Sequence, residues 1–327
     1  MASGTFDIAA AAVGDRVQHE FLVVDREEKK QANGDPFVLL TLGNPSGRLG
    51  TAPLWSNQLE WATGAERGKV VQVIGEIAAF HGKRQLRLTA PLRVLPDASV
   101  RPELFLPRIS VAPESLWDWV DRARSDLKSV ALRRAVDLFF GDDTFRVDFE
   151  RTPASVAGHH AAVGGLLLHV TEVATIGRNA ARVMKANADV VVAGALLHDI
   201  GKVRAYDVGA AGFTHTPAGS LLGHVVLGAL MLQERLQGVP SSEIGSSQRI
   251  ELLHLILSHH GSLEFGSPVQ PMTVEAELLH WADETSAKGN DMSEVIAEDE
   301  HFNAGEVSDR RPWRVGRRIW RRPHGWE

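Results

Sequence analysis

Residues 194–202 read Gly194-Ala195-Leu196-Leu197-His198-Asp199-Ile200-Gly201-Lys202, an apolar run that ends abruptly in a histidine and an aspartate. The apolar stretch starts at Val190, and Val190 to Leu197 offers no polar face. It reads as an apolar helix, far too short to cross a bilayer. Gly201 follows as a candidate helix C-cap. A carboxylate at the edge of so apolar a segment is costly unless something pairs with it.

Similar conjunctions recur on both sides. His169 follows Gly164-Gly165-Leu166-Leu167-Leu168, and His224 opens a helix that continues Val225-Val226-Leu227. His259-His260-Gly261 closes a helix over Ile250 to Leu257, and Asp283 lies on a helix that starts near Thr273. Taken singly, a histidine on an apolar helix is more often a hydrogen-bonded core or rim group than a ligand. His215, His254, His280, His301 and His324 are assigned to that ordinary class. Taken together, the series has another reading: a bound cation gives every member the same partner. The chain contains no cysteine, which excludes disulfides and thiolate sites. Imidazole plus carboxylate suits Mn or Fe, and also admits Co, Ni or Zn.

The rest of the second half is helical in pattern. Glu114 to Phe140 carries Leu116, Trp119, Val120, Leu127, Val130, Leu132 and Leu138 on or near one face. Ser155 to Lys288 reads as helices separated by Gly-containing loops. Asp291 to Glu300 is an acid-containing segment expected to be exposed. Arg310 to Glu327 has seven arginines and one acid, with Trp313, Trp320 and Trp326 interleaved. Such a tail could strap nucleic acid, but packing that buries the tryptophans is the favoured expectation.

Upstream of four prolines, Pro96, Pro102, Pro107 and Pro113, the texture changes to short strands. Val17 to Val24 is the first, followed by the charged Asp25 to Lys30. Phe37 to Leu42 and Leu49 to Trp55 are the next two. Ser56 to Ala65 reads as a short helix with Ser56 as N-cap. Lys69 to Phe80 and Gln85 to Val94 form a hairpin around His81-Gly82-Lys83. Three strands, a helix and two strands is the order of an OB-fold barrel, although small SH3-like barrels share the texture. The expected organisation is therefore multidomain: a small all-β OB-fold over residues 14–95, a linker over 96–113, an all-α domain over 114–290, and the acidic segment and Arg/Trp tail over 291–327.

Hydrophobic residues make up 44% and charged residues 23% of the 327, an ordinary globular balance. The net charge of -6 argues against non-specific coating of nucleic acid over the whole surface. Met1 to Asp15 has no basic start and carries Asp7, so no secretory signal or membrane association is expected, and the cytoplasm is the default.

The ordered motifs carry a resemblance. His198-Asp199-Ile200-Gly201-Lys202 is similar to the signature of the HD superfamily of metal-dependent phosphohydrolases. His159-His160, Val163 to His169, Leu221-Leu222-Gly223-His224, Ile256 to Gly261, Gly266-Ser267-Pro268-Val269 and Leu279-His280-Trp281-Ala282-Asp283 complete the series. Together, from about Asp15 to Lys288, they resemble the YhaM-type 3′–5′ exoribonucleases, which also carry an N-terminal OB domain. Leu168 stands where that family tends to have an acid. The resemblance implies an HD-type phosphohydrolase domain over 114–290. It makes His169, His198, Asp199 and Asp283 the ligands of one metal, with Asp199 bridging to a second held by His224, His259 and His260. It also favours Mn.

Two cations about 3.5–4 Å apart would supply a nucleophile at neutral pH and relieve charge on a phosphate. Asp199 and Lys202 are the expected catalytic residues, with Lys202 stabilising phosphate charge or, equally, only capping a helix end. His160 is a candidate for touching substrate phosphate, its rival role being to cap the helix that leads to His169. In the barrel, Phe37, Trp55 and Phe80, with Lys83, Arg84 and Arg87 nearby, are candidate single-strand contacts; for Phe37 and Trp55 a core role is the better expectation. The reading that follows is hydrolysis of single-stranded RNA, with DNA also admitted, from the 3′ end to nucleoside monophosphates, by a chain that could form a homo-oligomer. The alternatives are an HD phosphodiesterase acting on cyclic dinucleotides or free nucleotides, and an OB-domain nucleic-acid-binding accessory protein with little catalysis.

Overall fold

The structure is a computed structural model that describes residues 6–80, 82–100, 102–209 and 212–326. His81, expected at a hairpin turn, lies outside these residues. Two compact units are present: residues 1–108 with 208–214, and residues 109–207 with 215–327.

The first unit is a nearly closed antiparallel barrel of the OB type. Strands β1 (Arg16–Lys30), β2 (Pro36–Asn44), β3 (Gly47–Gly50), β4 (Val70–Phe80) and β5 (Lys83–Leu88) lie in the order β3-β2-β1-β4-β5, and β6 (Arg93–Val94) pairs with β4. A parallel bridge between Thr51 and Leu86 approaches closure. β1 runs through the charged Asp25–Lys30 stretch because its two halves serve different partners: Arg16–Leu22 pairs with β4 and Leu22–Lys30 with β2. A register irregularity at Val23/Asp25 lets it bend between them. Val17, Phe21, Val23, Val38, Leu40, Leu42, Val71, Val73, Ile77 and Leu86 alternate inward and fill the barrel.

Two local expectations are corrected here. The third strand stops at Gly50, and only single bridges continue it toward Trp55. The segment after it is a 3-10 helix, Ser56–Ala62, with Trp55 at the N-cap position and no side-chain cap.

The second unit is helical: α1 (Pro113–Asp126), α2 (Val130–Phe140), α3 (Asp143–Arg151), α4 (Gly165–Met184), α5 (Ala188–Leu197), α6 (Lys202–Ala205), α7 (Pro217–Leu236), α8 (Ser246–Ser258) and α9 (Val274–Ala297). The single periodic run from Glu114 to Phe140 is two helices, because Ser129 caps a new start by accepting from the Leu132 amide. Phe139, Phe140, Phe145 and Phe149 pack edge to face, with Trp117 tilted against Phe140, in the core that includes α5 residues Val192, Ala193, Leu196 and Leu197. Truncating any of these phenylalanines would cost about 3–5 kcal/mol. α5 is buried on nearly every side, as its apolar sequence requires. The stretch from Ser155 to Lys288 is not wholly helical: β7 (Tyr206–Gly209) and β8 (Gly212–His215) pair as a two-stranded sheet before α7, with residues 208–214 grouped in the first unit.

Beyond Asp283 the helix continues to Ala297, and the expected exposed acidic segment instead buries Asp291 and Val295. The tail corrects another expectation. Its tryptophans are outside, Trp313 being 72% and Trp326 81% exposed. What anchors it is buried Ile319 and the arginines, Arg314 on Glu294 and Glu298 and Arg321 on Asp299. Among the described residues, no helix is long and apolar enough to cross a membrane.

Candidate functional site

Within the helical unit, side chains from α4, the α5–α6 turn, α7, the end of α8 and α9 meet around Asp199. Its two oxygens face different neighbours. Oδ2 lies 3.2 Å from His198 Nε2 and 3.5 Å from His169 Nε2. Oδ1 lies 3.3 Å from His224 Nε2 and 3.7 Å from His259 Nε2. Asp283 Oδ1 is 3.0 Å from His169 Nε2 and 3.8 Å from His198 Nε2. The ligand atoms fall into three groups, each within 4.8 Å: His169, His198 and Asp283; His198, Asp199 and His259; and His224, His259 and His260.

Two backbone approaches make this possible. Gly201 adopts ordinary right-handed helical angles rather than the left-handed C-cap expected of it. It must be glycine for a different reason: a Cβ would fall on the His224 carbonyl and the Gly228 amide. The turn carrying Asp199 thus packs backbone to backbone against α7, just after the break at Gly223 that aims His224. Gly261, at φ +78°, leaves room for the His280 ring, where a Cβ would collide. His280 Nδ1 in turn donates to the His259 carbonyl at 2.9 Å. His280, assigned above to the ordinary class, fixes the turn that carries His259 and His260.

The tautomers follow from the partners. His198 Nδ1 lies 2.8 Å from Ala195 O, His259 Nδ1 2.6 Å from Ile256 O, and His260 Nδ1 2.7 Å from Phe265 O. A carbonyl only accepts, so each Nδ1 carries the hydrogen and each Nε2 presents a lone pair. His169 is served differently. Its Nδ1 meets Ser286 Oγ at 3.0 Å, and that hydroxyl donates to Glu172 Oε2 at 2.6 Å. Glu172 also takes the His160 Nε2 contact at 2.9 Å. Burial works against the Glu172 carboxylate, but the bonds from His160 and Ser286 outweigh it and keep its pKa below the ordinary range.

Lone pairs on His169, His198 and His259 therefore point at carboxylate oxygens, acceptor against acceptor, and His224 Nε2 faces the same Asp199. The Nε2 atoms of His169, His198, His224 and His259 and the Asp199 Oδ1 are buried without a hydrogen-bond partner, and Asp199 Oδ2 meets only the Lys202 ammonium. Atoms each held about 2.1 Å from a shared cation lie roughly 3–3.5 Å apart, close to the separations seen here. The donor set fits a divalent cation. Electrostatics agree at two rings: burial, opposed by Asp199, takes His224 down to about 3 and His259 well below its ordinary value, whereas at His198 burial is outweighed by the Asp199 carboxylate, which raises the ring's pKa. Burial opposes ionisation of Asp199 and Asp283, yet Lys202 and His198 at the first, and His169 and His198 at the second, hold both carboxyls well below the usual range.

Lys202 is neither exposed nor a helix-end cap. It is buried, with Nζ 2.6 Å from Asp199 Oδ2 as an ion pair. His160 does not reach the cluster; Glu172 and the Asn290 side chain, which accepts from its backbone amide, occupy it. Glu172 and Ser286 had no part in the sequence-based site. The signal was present on α9, where His280, Asp283 and Ser286 recur at i, i+3 and i+6 beside the buried Ala276, Leu279 and Ala282.

On the barrel unit, Phe37, Trp55 and Phe80 line a cavity of about 440 Å³ with Gln58, Gln85 and Arg87. Phe37 is half-buried and Trp55 41% exposed, their ring centroids 5.2 Å apart, so neither is the core filler expected. Arg84 is spent elsewhere, donating to the carbonyls of Ile8, Ala9 and Ala11. Arg87, paired with Glu76, is the cationic residue at the cavity.

Comparison with known proteins matches residues 166–288 to the HD domain, the segment that holds every cluster residue. The chain is 31% identical to the 3′–5′ exoribonuclease YhaM of Bacillus pumilus over 300 residues, 91% of this chain and 92% of that protein. The figures are the same for the YhaM of Bacillus subtilis. For that of Oceanobacillus iheyensis they are 30% over 304 residues, 93% of each. An HD domain implies divalent-metal binding, in keeping with the clustered acceptors. With the likeness running through barrel and helical unit alike, the chain belongs to the YhaM 3′–5′ exoribonuclease family.

Proposed function

We propose that this protein hydrolyses single-stranded RNA from its 3′ end, releasing nucleoside monophosphates, and does so with two divalent cations. The observation that carries the reading is the set of buried, partnerless acceptors around Asp199, found in a member of a family named for that activity. His169, His198, Asp199 and Asp283 would hold one cation. Asp199 would share its other oxygen with a second, held by His224, His259 and His260.

When bound, such a pair makes water a nucleophile near neutral pH and draws charge from the phosphate, and the family resemblance favours Mn. The chain's own residues do the rest. Carbonyls of Ala195, Ile256 and Phe265 keep three imidazoles in the tautomer that presents Nε2. Lys202 fixes the shared carboxylate and carries a positive charge beside the place where phosphate charge must be met. Phe37, Trp55 and Phe80 offer ring faces on which successive bases stack without regard to sequence. The cytoplasm is where such a substrate is met.

The test is a panel in Mn²⁺: end-labelled RNA, the matching DNA and cyclic dinucleotides. Stepwise shortening of RNA from its 3′ end with mononucleotide release is expected. Intact RNA beside hydrolysed cyclic dinucleotides would replace this reading with a small-nucleotide phosphodiesterase, and RNA binding without turnover would replace it with an accessory protein.

A further inference from the structure

His159 and His160 are adjacent, and the structure separates their duties. His160 is consumed inside the protein by Glu172 and Asn290. His159 is not. Its ring lies beside that of His169, centroids 5.1 Å apart and tilted by 50°. Its Nε2 is buried and has no hydrogen-bond partner. The loop that holds it is fixed, since Ser155 Oγ accepts from the Gly158 amide at 2.7 Å and donates to the His159 carbonyl at 2.9 Å.

Among the described residues, His159 belongs to none of the groups whose atoms could share a cation. Its ring nevertheless faces the centre, packed against that of His169. It stands just outside the ligand set with one nitrogen unspent. Leaving a buried nitrogen unpaired costs about 1–3 kcal/mol, and a native structure that bears that cost needs a reason. The acceptor that comes and goes at such a place is the substrate's phosphate.

We propose that His159, rather than His160, donates Nε2–H to a non-bridging oxygen of the scissile phosphate. Its part is that of a hydrogen-bond donor to developing charge, held in place by the fixed loop and by the neighbouring His169 ring. This role rests on the exoribonuclease reading, and the experiment separates the two.

His159→Ala and His159→Gln are made in the full chain, with metal equivalents, RNA turnover and calorimetric binding of inorganic phosphate to the metal-loaded protein measured in each. For His159→Ala, kcat is expected to fall about 10²-fold, the usual effect of losing one donor to transition-state charge. Metal equivalents should stay at the wild-type level and phosphate binding should weaken. Glutamine, which keeps an N–H and most of the volume, should restore part of both. Wild-type kcat in His159→Ala, or loss of metal in step with loss of activity, would overturn the assignment. If the wild type fails to shorten RNA, the exoribonuclease reading falls. The phosphate isotherms then decide His159 alone, weakened binding in His159→Ala upholding it and unchanged binding ending it.

Discussion

The centre around Asp199 and the aromatic face of the barrel are both candidate contact sites, and they are built on opposite principles. At the centre, polar atoms are withdrawn from water into apolar helices and left without partners. On the barrel, apolar rings are left in water, with Trp55 41% and Phe80 62% exposed. Each arrangement costs free energy in the isolated protein, and each is relieved by a different kind of guest. A cation satisfies misplaced acceptors, and a nucleobase covers misplaced rings. The centre is accordingly expected to be all-or-none, whereas the barrel face should act in increments.

Asp199→Ala is the strongest test of that contrast. It removes the carboxylate shared by both clusters and strands the buried Lys202, so metal content and RNA turnover should collapse together, turnover by at least ~10³-fold. Circular dichroism in the β region should be unchanged, since the barrel is a separate compact unit. Retention of near-normal turnover would break the idea of a shared carboxylate. Ser286→Ala probes the same centre one step removed. His169 alone among the Nδ1-bonded ligand imidazoles discussed is tied to a carboxylate, Glu172, through a hydroxyl. Losing such an outer partner typically costs about 10–100-fold in metal affinity. A Mn²⁺ titration should therefore shift, while kcat at saturating Mn²⁺ stays near wild type.

The same contrast explains what could be read without coordinates. His198-Asp199 at the end of an all-apolar helix is a local contradiction, and contradictions survive in sequence. The strand order of the barrel was equally legible, because period-two alternation and turn residues are local. What failed was whatever depends on the third dimension. Phe37 and Trp55 looked like core because aromatic residues in strands usually are, but Trp55 falls where strand pairing has dwindled to single bridges. Lys202 read equally as a phosphate-facing cation and as a helix-end cap, and nothing in the adjacent sequence announces its burial beside Asp199. Gly201 was noticed for a left-handed cap it does not form; its true constraint, the approach of a distant carbonyl, has no trace in its neighbours. Glu172 and Ser286 are ordinary residues until α4 and α9 lie side by side.

Trp55→Ala sharpens the comparison from the other side. Each base stacked on an aromatic ring contributes about 1–3 kcal/mol, so one lost ring should raise KM for RNA on the order of tenfold. Metal content and kcat should not move. A change in kcat without a change in KM would mean that the ring serves something other than holding the strand.

Asp291 tests whether a buried, partnerless oxygen always marks a cation site. It lies two turns beyond Asp283 on α9, its Oδ1 is buried and unpaired, and it belongs to no ligand group among the described residues. Burial raises its carboxyl to about 6, with Arg314 opposing. Because the folded state binds this proton more tightly than the unfolded chain, whose value is near 3.8, stability falls as pH rises between about 4 and 6. Above that window the penalty is constant. Asp291→Asn should therefore be more stable than wild type at pH 7–8, by about 1 kcal/mol after allowance for solvent on its open side. The advantage should vanish below pH 4, and bound metal should be unaltered throughout. The measurement is thermal melting across pH 4–8. A variant that instead melts lower at pH 7 and loses metal would make Asp291 part of the centre, and would extend the cluster a further two turns along α9.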